Sequence, residues 1–338
     1  MAGEKCIVVG AGGIAGAWFP PLAAEKVKVV GVVDIDIQRA YNRVTEYKLD
    51  CEASTDLKSL IKRTKPDFVV DLTIPEAHCA VACTAMGLGC HVIGEKPMAS
   101  SMAEARKMVR TADKTKKLYM ISQSRRYHAN HDIVRRTIES KKIGNLTTVN
   151  CDFYIGAHFG GFRDAMPSPL ILDMAIHHFD LIRFMTGTDP VAVYAQEFNP
   201  RGSWYKGDVS AMVIFEMSNG VMFSYRGSWC AEGCHTSWNG DWRFIGDKGT
   251  LLCVQDQPPT GASVKKPGGF FSEMAPVVPT KTPLKHEGQH GALRELLAYM
   301  RTGKKPQCEC HDNIKSLAMV FSVIESSKKG KRIPIRVM

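Results

Sequence analysis

A short apolar run over residues 5–9 ends in Gly10-Ala11-Gly12-Gly13-Ile14-Ala15-Gly16, and a helical stretch to about residue 24 follows. Strand, glycine turn and helix in immediate succession leave few folds open. With Gly10, Gly12 and Ala15 in the small-residue places, the turn reads G-x-G-x-x-A. The first glycine makes the turn. The second lets backbone N–H groups approach a pyrophosphate, and the small third residue lets the helix lie close to the strand. The helix N-terminus then turns its positive end to the phosphates. Residues 27–33 form a second apolar strand with Asp34 at its end, close to the ~20 residues at which an acidic ribose ligand is expected. Asp34 can accept from the adenosine 2′- and 3′-hydroxyls and would repel a 2′-phosphate, which favours NAD over NADP. Arg39 and Arg43 on the next helix are the groups that would relieve that repulsion. The competing role for Asp34 is a helix cap near Asp36.

The alternation continues. Residues 56–63 read as a helix and 68–72 as a buried strand with Thr73-Ile74-Pro75 at its carboxyl end. A helix over 76–87 leads to a strand over 90–93, followed at once by Gly94-Glu95-Lys96-Pro97. Residues 101–115 form a helix whose start has the Ser101/Glu104 capping-box spacing, and 118–122 is another strand. Strands alternating with helices imply a parallel sheet covered on both faces, a Rossmann domain over residues 1–123. After Gln123-Ser124-Arg125-Arg126-Tyr127 the rhythm changes. A helix over 131–140 precedes strand-like runs at 149–154, 191–198, 209–217, 221–228, 242–245 and 250–254. Asn219-Gly220 between two of them is a hairpin signal. Residues 124–338 are therefore expected to form a second, α+β domain with an open, mainly antiparallel sheet. Residues 258–283, rich in proline and glycine, read as a long loop, a lid or a subunit contact. Helices near 290–301 and 312–328 end the chain.

Composition removes other classes. The formal charge is +10 over 338 residues, but the basic residues are dispersed on helical patterns, so they read as solvated faces and no nucleic-acid partner is expected. The eleven cysteines give no paired CxxC spacing. Free thiols in a reducing compartment are expected, with no metal, even at Cys308, Cys310 and His311. No apolar run approaches the ~20 residues of a membrane span, and the glycine-rich N-terminus lacks a signal-peptide cleavage region. A cytoplasmic protein with no membrane partner is the expectation.

Two stretches carry chemistry. Gly94-Glu95-Lys96-Pro97 places an ammonium beyond the carboxyl end of a buried strand, where open α/β sheets bind ligands; the plainer reading is an exposed ion pair. Residues 171–185 form an apolar helix, stopped by Gly187, with Asp173, His177 and Asp180 on one face at i, i+4, i+7. That stripe is either a satisfied core histidine or one whose protonation a carboxylate tunes.

On Gly10-Ala11-Gly12-Gly13-Ile14, Gly94-Glu95-Lys96-Pro97 and the Asp-x-x-x-His of Asp173 and His177, the chain resembles the Gfo/Idh/MocA family (glucose–fructose oxidoreductase, inositol dehydrogenase) over essentially its whole length. Asp180 matches a further acidic position, and Arg125-Arg126-Tyr127 looks like the family's segment after the last Rossmann strand. The resemblance implies NAD(P)-dependent oxidation or reduction of a sugar, cyclitol or related polyol at a secondary alcohol, in a homo-oligomer, dimer or tetramer, joined through the C-terminal sheet. By carry-over, Lys96 and His177 flank the reacting hydroxyl with Asp173 beside them. The cofactor lies along Gly10, Gly12, Gly13, Ile14, Asp34, Thr73, Ile74, His78, Glu95 and Lys96, and the Lys96–Pro97 peptide is cis. Arg126, Tyr127 and His158 are lesser candidates for substrate contacts, with packing or surface roles as the alternative. The chain departs from the family's Thr-Pro-Asn at Thr73-Ile74-Pro75 and from its Asp-x-Gly-x-His at Ala175. Two other activities suit the same fold: a glycosidase that oxidises and re-reduces one sugar carbon through NAD, and a non-catalytic cofactor-sensing regulator.

Overall fold

A computed structural model describes residues 3–337 and divides the chain into two compact units. The first holds residues up to Tyr127 together with 285–317; the second holds 128–284 and 318–337. The units are thus not contiguous in sequence.

The first unit is built on strands β1 (Lys5–Val9), β2 (Lys28–Val33), β3 (Glu52–Ser54), β4 (Phe68–Asp71), β5 (His91–Glu95) and β6 (Tyr119–Ser122), all parallel, in the order β3-β2-β1-β4-β5-β6. Cys6 to Val9, Phe68 to Asp71 and Val92 to Glu95 are buried without a break, as strands covered on both faces must be. β3 goes beyond the sequence expectation. It is a three-residue edge strand, too short and too polar to show a pattern. Helices α1 (Phe19–Ala24), α2 (Ile37–Glu46), α3 (Leu57–Thr64), α4 (Pro75–Gly87) and α5 (Met102–Thr115) alternate with the strands. Three of them start on side-chain caps. Asp36, Asp56 and Ser101 accept from the amides of Gln38, Ser59 and Glu104. Glu104 itself accepts from Ser100 Oγ at 2.5 Å instead of closing a box on Ser101.

The second unit holds a nine-stranded sheet. Its strands are β7 (Leu146–Tyr154), β8 (Pro190–Phe198), β9 (Ser210–Met217), β10 (Met222–Ser228), β11 (Asp241–Gly246), β12 (Gly249–Cys253), β13 (Thr260–Lys266), β14 (Glu273–Pro276) and β15 (Ile333–Pro334), ordered β14-β13-β12-β11-β7-β10-β9-β8-β15. Among the described residues, β7 and β10 are the one parallel pair in this sheet. The hairpin expected at Asn219-Gly220 joins β9 to β10 with both residues at positive φ, 61° and 73°. The long loop expected over 258–283 is corrected in its first part. β13 and β14 form a hairpin there, paired to β12 through the main chain. They bury almost no apolar face, which is why no alternation marks them.

Helices α6 (Ala129–Glu139), α7 (Phe162–Ala165) and α8 (Ile176–Thr186) lie in this unit; α9 (Gly288–Thr302) belongs to the first, and α10 (Cys310–Lys329) runs from one unit's residues into the other's. Val134, Phe179, Ile182, Met319 and Val323 pack on the inward rows of the sheet, such as Val193–Phe215–Phe223. Phe179 is fully buried, with its ring 5.0 Å from Phe215 and 5.3 Å from Tyr225. Phe179→Ala is expected to cost about 3–5 kcal/mol, read as a lower urea midpoint at unchanged slope. A loss below about 1 kcal/mol would show that the core closes over the gap.

Candidate active site

In the first unit the strand order reverses between β1 and β4, so the chain leaves their carboxyl ends in opposite directions and opens a crevice. Gly10 crosses this point at φ +95°. A Cβ there would lie 2.6 Å from the carbonyl of Leu72, so only glycine fits. Gly12 and Gly13 face the other way, with no atom within 4 Å of where a Cβ would stand. Among the described residues, the amides of Gly12, Gly13 and Ile14 donate to no protein acceptor. Open space beside unspent N–H groups at a helical turn is what a pyrophosphate requires, so these residues fit a dinucleotide.

Asp34 stands at the end of β2 and is nearly buried; it accepts from Ala11 N at 2.7 Å and Asp36 N at 3.0 Å. The helix-cap role belongs to Asp36. Arg43 does not reach out toward a ribose phosphate. It donates through Nε and Nη2 to the carbonyls of Ala11 and Gly12, at 3.1 and 2.8 Å, and so braces the turn. Arg39 lies on the surface, 3.4 Å from Asp36.

At the end of β4, Thr73 Oγ1 donates to Asp71 Oδ1 at 2.6 Å, and Ile74 is exposed. His78 is fully buried, with Nδ1 3.0 Å from Asp71 Oδ2, so it holds the strand end from behind. Glu95 is buried at the end of β5. It accepts from the indole of Trp18 at 2.9 Å and from Lys96 N at 3.3 Å. Burial pushes its carboxyl above the usual range, against the pull of Trp18 and Lys96. Trp18 directly follows the glycine turn, so the turn and the Lys96 loop share one anchor. Lys96 is half-buried, and the Lys96–Pro97 peptide is cis as expected. Arg126 and Tyr127 are buried and committed within the first unit. Arg126 donates to Gln307 O and Asp312, and Tyr127 to Glu295.

In the second unit the expected single helix over 171–185 is corrected. It opens with a π-helical turn, Leu170–Ala175, and becomes α8 only at Ile176. Such turns cluster at functional sites because they displace a side chain from the regular helical face. Asp173 lies on this turn and His177 one turn later, both half-buried. Asp180 is buried. The neighbouring His178 is fully buried, 4.9 Å from the ring of Phe153 and 5.5 Å from Tyr225. It is the core histidine, and His177 is the accessible one. His158 is exposed, stacked on Trp204 at 3.7 Å and 2.8 Å from Glu232. One residue was not legible in the sequence: Arg163, whose Nε donates to Asp173 Oδ2 at 2.6 Å. No periodicity ties it to Asp173, ten residues on across a coil.

The first unit thus has the parallel sheet and glycine turn of a dinucleotide-binding protein, and the second carries a half-buried histidine and carboxylate about one helical turn apart. The chain belongs to the Gfo/Idh/MocA oxidoreductase family. The model of its NAD-binding Rossmann fold matches residues 4–123, and the model of its C-terminal domain matches residues 131–252. An uncharacterised protein, y4oX, of Sinorhizobium fredii is 26% identical, with 98% of this chain and 96% of that one covered. The 1,5-anhydro-D-fructose reductase of Ensifer adhaerens is 23% identical, with 97% of each covered. An oxidoreductase from Agrobacterium radiobacter, crystallised with NAD+, L-tartaric acid and magnesium, shares the fold with a TM-score of 0.85 at 21% identity over 98% of each chain. Among the described residues no helix is long and apolar enough to cross a membrane.

The π turn is entered at Ser168, a buried residue whose hydroxyl lies against Glu197 of β8. Burial pushes the Glu197 carboxyl up to about 7; Ser168 opposes this and Asp208 adds to it. A carboxyl raised in the folded state contributes stability that is whole below its unfolded pKa near 4.5 and is lost as pH rises through 7. Glu197→Gln is therefore expected to flatten the fall in stability between about pH 4.5 and 7. It should also leave the variant more stable at pH 8, by on the order of 2–3 kcal/mol, in melts across that range. An unchanged pH profile would remove Glu197 as its source.

Proposed function

We propose that the protein transfers hydride between NAD and a secondary alcohol or ketone of a sugar, cyclitol or related polyol. The observation that carries the reading is the accessible His177 one turn from Asp173, in a chain with a dinucleotide cradle. The reductase relative from Ensifer adhaerens, named for a sugar derivative, supports the substrate class. When bound, NAD supplies the hydride acceptor. His177 takes the hydroxyl proton as general base. Lys96 donates from Nζ to the developing alkoxide and stabilises its charge. Asp173 orients His177 or binds a neighbouring hydroxyl. In the reverse direction His177 returns the proton. The first unit holds the cofactor, and the second supplies the groups that meet the substrate.

A homo-oligomer, dimer or tetramer, is proposed through the outward face of the second sheet. There Tyr194, Ile214, Met212 and Met222 stand exposed on adjacent strands, and strand faces of this composition are ordinarily covered. Among the described residues no cysteine is joined in a disulfide, which suits a reducing compartment.

A panel of polyols and ketosugars with NAD(H) and NADP(H), followed by the absorbance of the reduced nicotinamide, tests the reaction. Release of sugar without net NADH would point to the transient-oxidation glycosidase instead. With a substrate found, His177→Ala and Lys96→Ala should each lower kcat about 10²–10⁴-fold with cofactor saturating. Near-normal turnover in the His177 variant removes it as the acid/base. Sedimentation velocity checks the assembly: Ile214→Lys with Tyr194→Lys should shift an oligomer to monomer, and a wild-type chain that is monomeric at micromolar concentration sinks that proposal.

A further inference from the structure

We propose that Arg163 recognises a carboxylate on the substrate, so that the molecule oxidised or reduced is a sugar acid or another polyhydroxy acid. The inference rests on the oxidoreductase reading above and narrows its substrate. The guanidinium of Arg163 is fixed on three sides within the second unit. Nε donates to Asp173 Oδ2 at 2.6 Å, and its central carbon lies 4.9 Å from the ring centre of Phe159 and 4.7 Å from that of Phe162. The side chain is still 32% exposed, against 16% for Asp173. Among the described residues, Nη1 and Nη2 donate to no protein group.

That leaves the end-on fork of the guanidinium, two parallel N–H groups on a plane already held by its neighbours. This is the shape that meets the two oxygens of a carboxylate. Ordering a long side chain ordinarily costs affinity, and here the fold has already met that cost. Asp173 cancels much of the positive charge. Recognition then comes from two directed hydrogen bonds, which suit a carboxylate monoanion better than a phosphate dianion. Phe159 continues to Trp229 and Trp238, with ring centres 5.0 and 6.1 Å away. These rings give the carbon skeleton an apolar wall beside the fork.

The test uses the full chain with saturating NAD and matched substrates: D-gluconate against D-glucitol, D-galactonate against galactitol, and D-glucitol 6-phosphate as the phosphate arm. The acid is expected to exceed its neutral partner about tenfold in kcat/KM, mainly through KM. Arg163→Met and Arg163→Lys should each cut the value for the acid roughly 10- to 100-fold and bring the acid-to-neutral ratio close to one. Lysine fails because it keeps the charge and loses the fork. Equal use of acid and neutral forms by the wild type, a preference for the phosphate, or a ratio retained in both variants overturns the proposal. Calorimetric titration of D-gluconate into the NAD-loaded protein reads the same contact without turnover. Binding that weakens by a similar factor in Arg163→Lys supports the carboxylate site even if no substrate in the panel is oxidised, an outcome that counts against the oxidoreductase reading alone. Turnover of neutral polyols with no preference for acids is the reverse case.

Discussion

The close approach of the chain just past the ends of β1 and β4 is the constraint on which the rest of the first unit depends. Gly10 turns against the carbonyl of Leu72 with no room for a single additional carbon. The strand order reverses at this point, so the chain leaves β1 in one direction and β4 in the other, and the tight turn at Gly10 fits beside Leu72. The unspent amides of the turn, Asp34 on one flank and Thr73 on the other lie at this same switch point. The turn is then held from two sides, by Arg43 on its carbonyls and by Trp18, whose indole reaches the buried Glu95. A residue that fixes the phosphate side of the crevice therefore also fixes the backbone from which Lys96 projects.

The second unit uses a different device. A helix with every turn regular would carry Asp173 and His177 on one stripe with the core residues around them. The π turn at Leu170–Ala175 breaks that regularity just ahead of α8. Adjacent histidines meet opposite fates on α8. His178 goes in among Phe153 and Tyr225, and His177 stays half-exposed. Beside Ser168, ahead of the π turn, burial raises the Glu197 carboxyl above its ordinary range.

Much of this was legible in the residues alone, and the exceptions have physical reasons. Strands covered on both faces must be apolar throughout, so β1, β2, β4, β5 and β6 stand out as runs. β3, β13 and β14 do not, because main-chain pairing holds them and their side chains bury little. The nine-stranded sheet was readable where it alternates, as in β8 and β9, and at Asn219-Gly220. The π turn was not, since its composition is that of any apolar helix. Arg163 lies in α7, a four-residue helix too short to show a period. Arg126 and Tyr127 invited a functional reading by their position after the last Rossmann strand; their buried partners Asp312 and Glu295 come from far along the chain, beyond what local sequence reveals.

Arg43 bears on any attempt to redesign the cofactor. It looks like a cation in reserve beside the ribose, waiting for a 2′-phosphate once Asp34 is removed. Its guanidinium is instead committed to the carbonyls of Ala11 and Gly12 and to Glu46. Drawing it outward would release the same turn that the pyrophosphate needs. A change of coenzyme here therefore calls for a new positive charge from another position, with Arg43 left where it is.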